Sequence, residues 1–74
     1  MTNCEYADKA ITEKDQMFKN ITALRKAGDL APYYKAREAY LLHKLHCDNM
    51  ADLLFEGYLN PDSEVSYGFF QMLN

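Results

Sequence analysis

The chain has 74 residues, of which 49% are hydrophobic and 26% charged, and its formal net charge is −3. A chain of this length has enough apolar surface for one core, so we expect a single domain over residues 1–74. The apolar fraction excludes a disordered chain, and the longest apolar runs, such as 40–42 and 53–55, are far too short to span a bilayer. With no apolar signal region after Met1, we expect a cytoplasmic protein.

The first predicted element is a long amphipathic helix. Thr2 and Glu5 have the spacing of a capping box, which predicts a helix that begins near Asn3. Gly28 is the residue type that ends a helix in the left-handed conformation. Between them, apolar residues recur at three- and four-residue spacing: Ala7, Ala10, Ile11, Met17, Phe18, Ile21 and Leu24.

A second helix follows almost at once, with Asp29 as its cap and Pro32 in its first turn, and it runs to about Glu56 before Gly57. The short connection forces the two helices antiparallel, in a register that puts Ala10 near Cys47 and Lys14 opposite His43. One apolar stripe of this helix then faces the first: Tyr33, Ala36, Tyr40, Cys47, Met50 and Leu54. Cys4 and Cys47 are roughly 9 Å out of register in this arrangement, too far apart for a disulfide, so we expect free thiols.

Asn60 and Pro61 predict the cap and first residue of a short third helix that carries Val65, Phe69, Phe70, Met72 and Leu73. Folded back from Gly57, this helix brings Val65 near Leu53 and Met72 near Leu45. The predicted fold is therefore all-α, an antiparallel two-helix hairpin with a short third C-terminal helix packed on it.

The second helix has another apolar face, formed by Tyr34, Leu41, Leu42, Leu45, Leu53 and Phe55, which the first helix does not reach. The third helix covers only the C-terminal half of this face, so Tyr34 and Leu41 stay uncovered. Lys35 and Arg37 lie at the edge of the uncovered patch. Such a mixture of residues is typical of a protein interface, either with a second copy in a homodimer or with a partner. The alternative is that bending of the helices closes the face.

Charge is distributed unevenly, since no Lys or Arg occurs after Lys44. Asp48, Asp52 and Glu56 are spaced to form an acidic ridge on the second helix, near its negative end, where repulsion and the helix dipole both disfavour them. Because carboxylates are unfavourable at these positions, their presence indicates either a docking surface for a basic partner or an ordinary solvated face.

A basic cluster gathers around the hairpin turn and consists of Lys19, Arg25, Lys26, Lys35 and Arg37. With Tyr33 and Tyr34 beside them, these residues are compatible with binding a nucleic-acid backbone. A helix-turn-helix is disfavoured because the third helix, which would read the bases, carries Asp62 and Glu64.

Catalytic machinery is not evident in the sequence. His43 and Cys47 lie one helical turn apart, but two ligands do not make a metal site, and we expect no metal and no cofactor. Ser63 and Ser66 have no candidate base nearby, and no glycine-rich phosphate loop occurs. We therefore expect that the chain is not an enzyme.

By elimination, the sequence favours a small non-catalytic regulator or inhibitor that binds another protein through its acidic ridge (Asp48, Asp52 and Glu56) and a patch of Tyr34, Leu41 and Arg37. Small phage or mobile-element proteins that block host enzymes have this size and style. One alternative is a binder of small ligands or anions at an oligomer interface, with Arg37 and Lys35 at the site. The other is a nucleic-acid backbone binder that uses the basic cluster.

Overall fold

The computed structural model describes residues 1–66, which fold as an antiparallel hairpin of two long helices. Helix α1 spans Asn3–Ala27 and helix α2 spans Leu30–Phe55, and the described residues contain no strand apart from an isolated bridge between Thr2 and Glu64. The all-α hairpin predicted from the sequence is thus confirmed. Within residues 1–66, neither helix combines the length and the hydropathy that crossing a bilayer requires.

Local signals set the helix boundaries. The Glu5 amide donates to Thr2 Oγ1 at 3.2 Å and the Thr2 amide donates to Glu5 Oε1 at 3.0 Å, which is the predicted capping box. Gly28 ends α1 with φ of 78°, a conformation that glycine adopts without steric cost. Asp29 occupies the N-cap position of α2 as predicted, but its side chain makes no capping hydrogen bond.

The core lies at the open end of the hairpin rather than at the turn. Its buried members, Ala10, Cys47, Met50 and Val65, come from α1, α2 and the segment after α2, and Tyr6 and Leu59 pack against them. Ala10 and Cys47 meet as expected. His43 reaches α1 as well, since its Nε2 lies 2.9 Å from the Ala10 carbonyl oxygen and 3.9 Å from Glu13 Oε2.

Residues 57–66 do not begin a third helix at Asn60, and in this respect the prediction is wrong. The segment forms turns, with the Asp62 amide donating to Asn60 Oδ1 at 2.9 Å, and runs alongside the start of α1. The predicted positions of Phe69, Phe70, Met72 and Leu73 lie outside the described residues.

The physical reason is that this segment caps α1. The first amides of a helix have no partner within the helix. Here the Asn3 amide donates to the Ser63 carbonyl at 2.9 Å and the Cys4 amide to the Pro61 carbonyl at 3.0 Å. The Asn3 side chain is buried and donates to the Asn60 carbonyl at 2.8 Å. The turn conformation of the segment therefore satisfies donors that a helix starting at Asn60 would leave to water.

Candidate functional site

Helix α2 exposes more large apolar side chains than it buries. Its buried residues are His46, Cys47 and Met50. On the other side, large apolar side chains between 45% and 64% exposed occur along most of its length: Leu30, Tyr34, Leu41, Leu42 and Leu45. We call Tyr34, Leu41, Leu42 and Leu45 the outer face of α2.

The helical period explains this arrangement. Leu41 follows Tyr34 by seven residues and Leu45 follows Leu41 by four, so the three share one side of the helix. Cys47 and Met50 fall on the opposite side, against α1. Tyr34 and Leu41, which the sequence analysis predicted to be uncovered, are exposed in the structure. Leu42 and Leu45 are exposed as well and enlarge this apolar surface.

The acidic ridge continues the outer face toward the end of α2. Asp48 is not isolated, because Lys44 Nζ donates to its Oδ2 at 3.0 Å, and this hydrogen bond raises the pKa of Lys44 above its usual value. The carboxylates of Asp52 and Glu56 form no ion pair or side-chain hydrogen bond within residues 1–66. The ridge thus offers two uncompensated carboxylates and one that shares a lysine.

A groove of about 440 Å³ runs between the helices near the turn. Arg25 of α1 and Arg37 of α2 line it, and neither guanidinium group has a hydrogen-bond or ion-pair partner in the described part of the chain. Its apolar lining includes Phe18 and Tyr40, whose ring centroids lie 5.8 Å apart, and also Tyr33, Ile21 and Leu41. We call this the arginine groove.

The predicted basic cluster is divided by the fold. Lys19 and Lys26, seven residues apart, share a side of α1, and neither lines the arginine groove. Lys35 also lies outside the groove lining. The structure thus brings together two of the five predicted cations, Arg25 and Arg37, and sequence reasoning did not pair them because that depends on how the helices cross.

A cluster of ionisable and polar side chains occupies the other flank of the hairpin. His43 Nε2 donates to the Ala10 carbonyl and lies 3.9 Å from Glu13 Oε2, while Tyr6 Oη is 3.5 Å from His46 Nε2. Within residues 1–66, no three His, Cys, Asp or Glu side chains converge on a point that could hold a metal ion. The thiol of Cys47 is buried, and the desolvation raises its pKa above the usual range, which makes it a poor nucleophile and a poor metal ligand.

Comparison of the chain with protein-family models, with curated proteins and with solved structures found no match.

Proposed function

We propose that this chain is a non-catalytic regulator or inhibitor that binds another protein through the outer face of α2 together with the acidic ridge. The observation that supports the proposal is the exposure of Leu41, Leu42 and Leu45 on α2, although the same helix buries a histidine and a cysteine. An amphipathic helix of a monomeric protein normally places its leucines toward the core. A contiguous exposed apolar stripe is the usual mark of an interaction surface.

Burying the outer face of α2 against another molecule is energetically favourable. Complete burial of a leucine contributes about 1.5 to 3 kcal/mol, so covering side chains that are half exposed contributes about 1 kcal/mol each. Leu42 at 64% exposed and Leu45 at 53% have the most to gain among the leucines at the middle of α2. Each of these contributions equals or exceeds that of an exposed ion pair, which is typically about 0 to 1 kcal/mol.

The acidic ridge specifies the chemistry of the partner. Asp52 and Glu56, which have no ion-pair partner within residues 1–66, lie next to the apolar stripe, and Arg37 lies toward its other end. The complementary surface is an apolar groove with lysines or arginines at one end and a carboxylate at the other. Charge pairs of this kind contribute to orientation and to the rate of association more than to affinity.

A second copy of this chain is the competing occupant of the same face, and self-association stays a prediction. Two α2 helices paired antiparallel place Leu41 of one copy against Leu45 of the other. In the same register, Arg37 of one copy comes near Asp48 of the other, so the opposite charges at the two ends of α2 complement each other. Sedimentation equilibrium over a range of concentrations distinguishes the two occupants. A stable dimer that buries the outer face would refute docking of a different protein there.

The test of docking compares charge reversal on the ridge with the same change elsewhere. The Asp48→Lys/Asp52→Lys variant alters the ridge, and Asp8→Lys/Asp15→Lys makes an equal charge change at exposed sites on α1. A third variant, Leu42→Asp/Leu45→Asp, alters the apolar stripe. Each is expressed in the source cell with a photo-crosslinking residue at position 38, and the crosslinked proteins are identified by mass spectrometry.

We expect one protein to crosslink to the wild type and to the α1 variant, and to be lost from the ridge and stripe variants. Circular dichroism of each purified variant confirms that the helices are retained. A partner that survives both sets of α2 substitutions, or that is lost equally from the α1 control, would refute the proposed docking surface.

A further inference from the structure

We propose that the arginine groove binds a small organic anion, in which a carboxylate or phosphate group is attached to a flat apolar body. The inference stands on the groove's own residues and does not depend on the docking proposal. It also differs from the anion site expected from the sequence, because Arg25 replaces Lys35 and a single chain supplies both arginines.

The two arginines supply the recognition of negative charge. Arg25 comes from the last turn of α1 and Arg37 from the second turn of α2, so they approach the groove from both helices. Neither guanidinium group is paired in the described structure. A guanidinium group presents a planar fork of donors that matches carboxylate and phosphate oxygens, and unpaired arginines at one groove are suited to hold such a group.

The remaining lining selects for an apolar body on the anion. Phe18, Tyr33 and Tyr40 contribute aromatic rings, and Ile21 is buried at the base between the helices. A volume of about 440 Å³ lies within the range of small-molecule sites, which is about 300 to 1,000 Å³. Aromatic walls with a few converging charged groups are the usual composition of a ligand pocket.

The arginines that line the groove can be distinguished experimentally from the other positive charges near the turn. Lys26 and Lys35 lie at the same end of the hairpin and carry the same charge, but they do not line the groove. They therefore provide a matched control, because replacing them changes the net charge near the turn by the same amount and leaves the lining intact. A nonspecific attraction of anions to the basic end would respond equally to either pair.

The experiment uses the full chain, labelled with ¹⁵N, and records amide shifts on titration with phenyl phosphate, benzoate, inorganic phosphate and benzyl alcohol. For phenyl phosphate or benzoate we expect saturable shifts at residues 18–25 and 33–41. Inorganic phosphate and benzyl alcohol should bind at least tenfold more weakly, because the first lacks the aromatic ring and the second lacks the anionic group. Arg25→Gln/Arg37→Gln should weaken binding of the aromatic anion at least tenfold, and Lys26→Gln/Lys35→Gln less than twofold.

Three results would overturn the proposal. One is the absence of saturable shifts with either aromatic anion. Another is equal weakening by the lysine and arginine variants, which would indicate diffuse electrostatic attraction. The third is binding of inorganic phosphate as tightly as phenyl phosphate, which would exclude a role for the aromatic lining. Circular dichroism of the variants ensures that a loss of binding does not reflect a loss of fold.

Discussion

Replacing Met50 with alanine should destabilise the protein far more than replacing Leu45 with alanine, although Leu45 is the more hydrophobic residue in the same helix. Met50 is 1% exposed and contacts the cluster in which α1, α2 and the segment after α2 meet, whereas Leu45 is 53% exposed. Truncating a buried methionine costs about 2 to 5 kcal/mol, because transfer free energy is lost and a cavity remains. An exposed substitution without special contacts changes stability by only about 0.5 kcal/mol.

These amounts are large relative to the total. A chain of this length has a free energy of unfolding of about 4 to 11 kcal/mol, at roughly 0.05 to 0.15 kcal/mol per residue. With a urea m-value of about 1 to 1.5 kcal/mol/M, a loss of 3 kcal/mol lowers the unfolding midpoint by about 2 M or more. Leu45→Ala should shift the midpoint by less than about 0.5 M.

Urea unfolding followed by far-ultraviolet circular dichroism measures the stability of both variants. Repeating it at two protein concentrations shows whether self-association contributes to the midpoint. Equal destabilisation by the two substitutions would show that Leu45 is packed in the folded chain. That result would refute the assignment of the outer face as a surface open to a partner.

Two further substitutions and one labelling experiment test other parts of the structure. Asn3→Ala removes the side-chain donor to the Asn60 carbonyl and should cost about 1 to 2 kcal/mol in urea unfolding, whereas an unchanged midpoint would refute a stabilising role for this hydrogen bond. Cys4 is exposed, so Ellman's reagent should modify it quickly, while buried Cys47 should react only as the protein unfolds; equal rates would contradict the packing. Because burial raises the pKa of Cys47 above its usual 9.0, the unfolded chain releases this proton more readily, and stability should fall as pH rises past 9. Cys47→Ala should lessen that fall, measured as urea midpoints at pH 8 and 10.

The helices were predictable because their boundaries depend on neighbouring residues. The Thr2 and Glu5 pair and the Gly28 stop act within one turn, and the structure contains both. The pairing of Ala10 with Cys47 also followed from the length of the connection. Which side chains of the two helices share a groove did not follow from it, and the meeting of Arg25 with Arg37 was missed.

The failure at Asn60 has a different cause. Asparagine followed by proline is equally compatible with the start of a helix and with a turn, because the asparagine side chain accepts a hydrogen bond from a backbone amide in both. Tertiary hydrogen bonds decide between them here, since the Pro61 and Ser63 carbonyls are needed by the first amides of α1. A sequence pattern read over a short window contains no information about donors that are more than fifty residues away.

The distribution of apolar residues in α2 links the fold to the proposed activity. Its inner side combines the buried Met50 with His46 and Cys47, which are polar or small. Leu41, Leu42 and Leu45 lie outside, where they contribute little to folding, so most of the free energy of burying them is gained only on association. Substitution of Leu42 and Leu45 by polar residues should therefore abolish partner binding and leave the unfolding free energy nearly unchanged. Only a surface that functions in binding separates the two quantities in this way, because residues that hold the core together alter both at once.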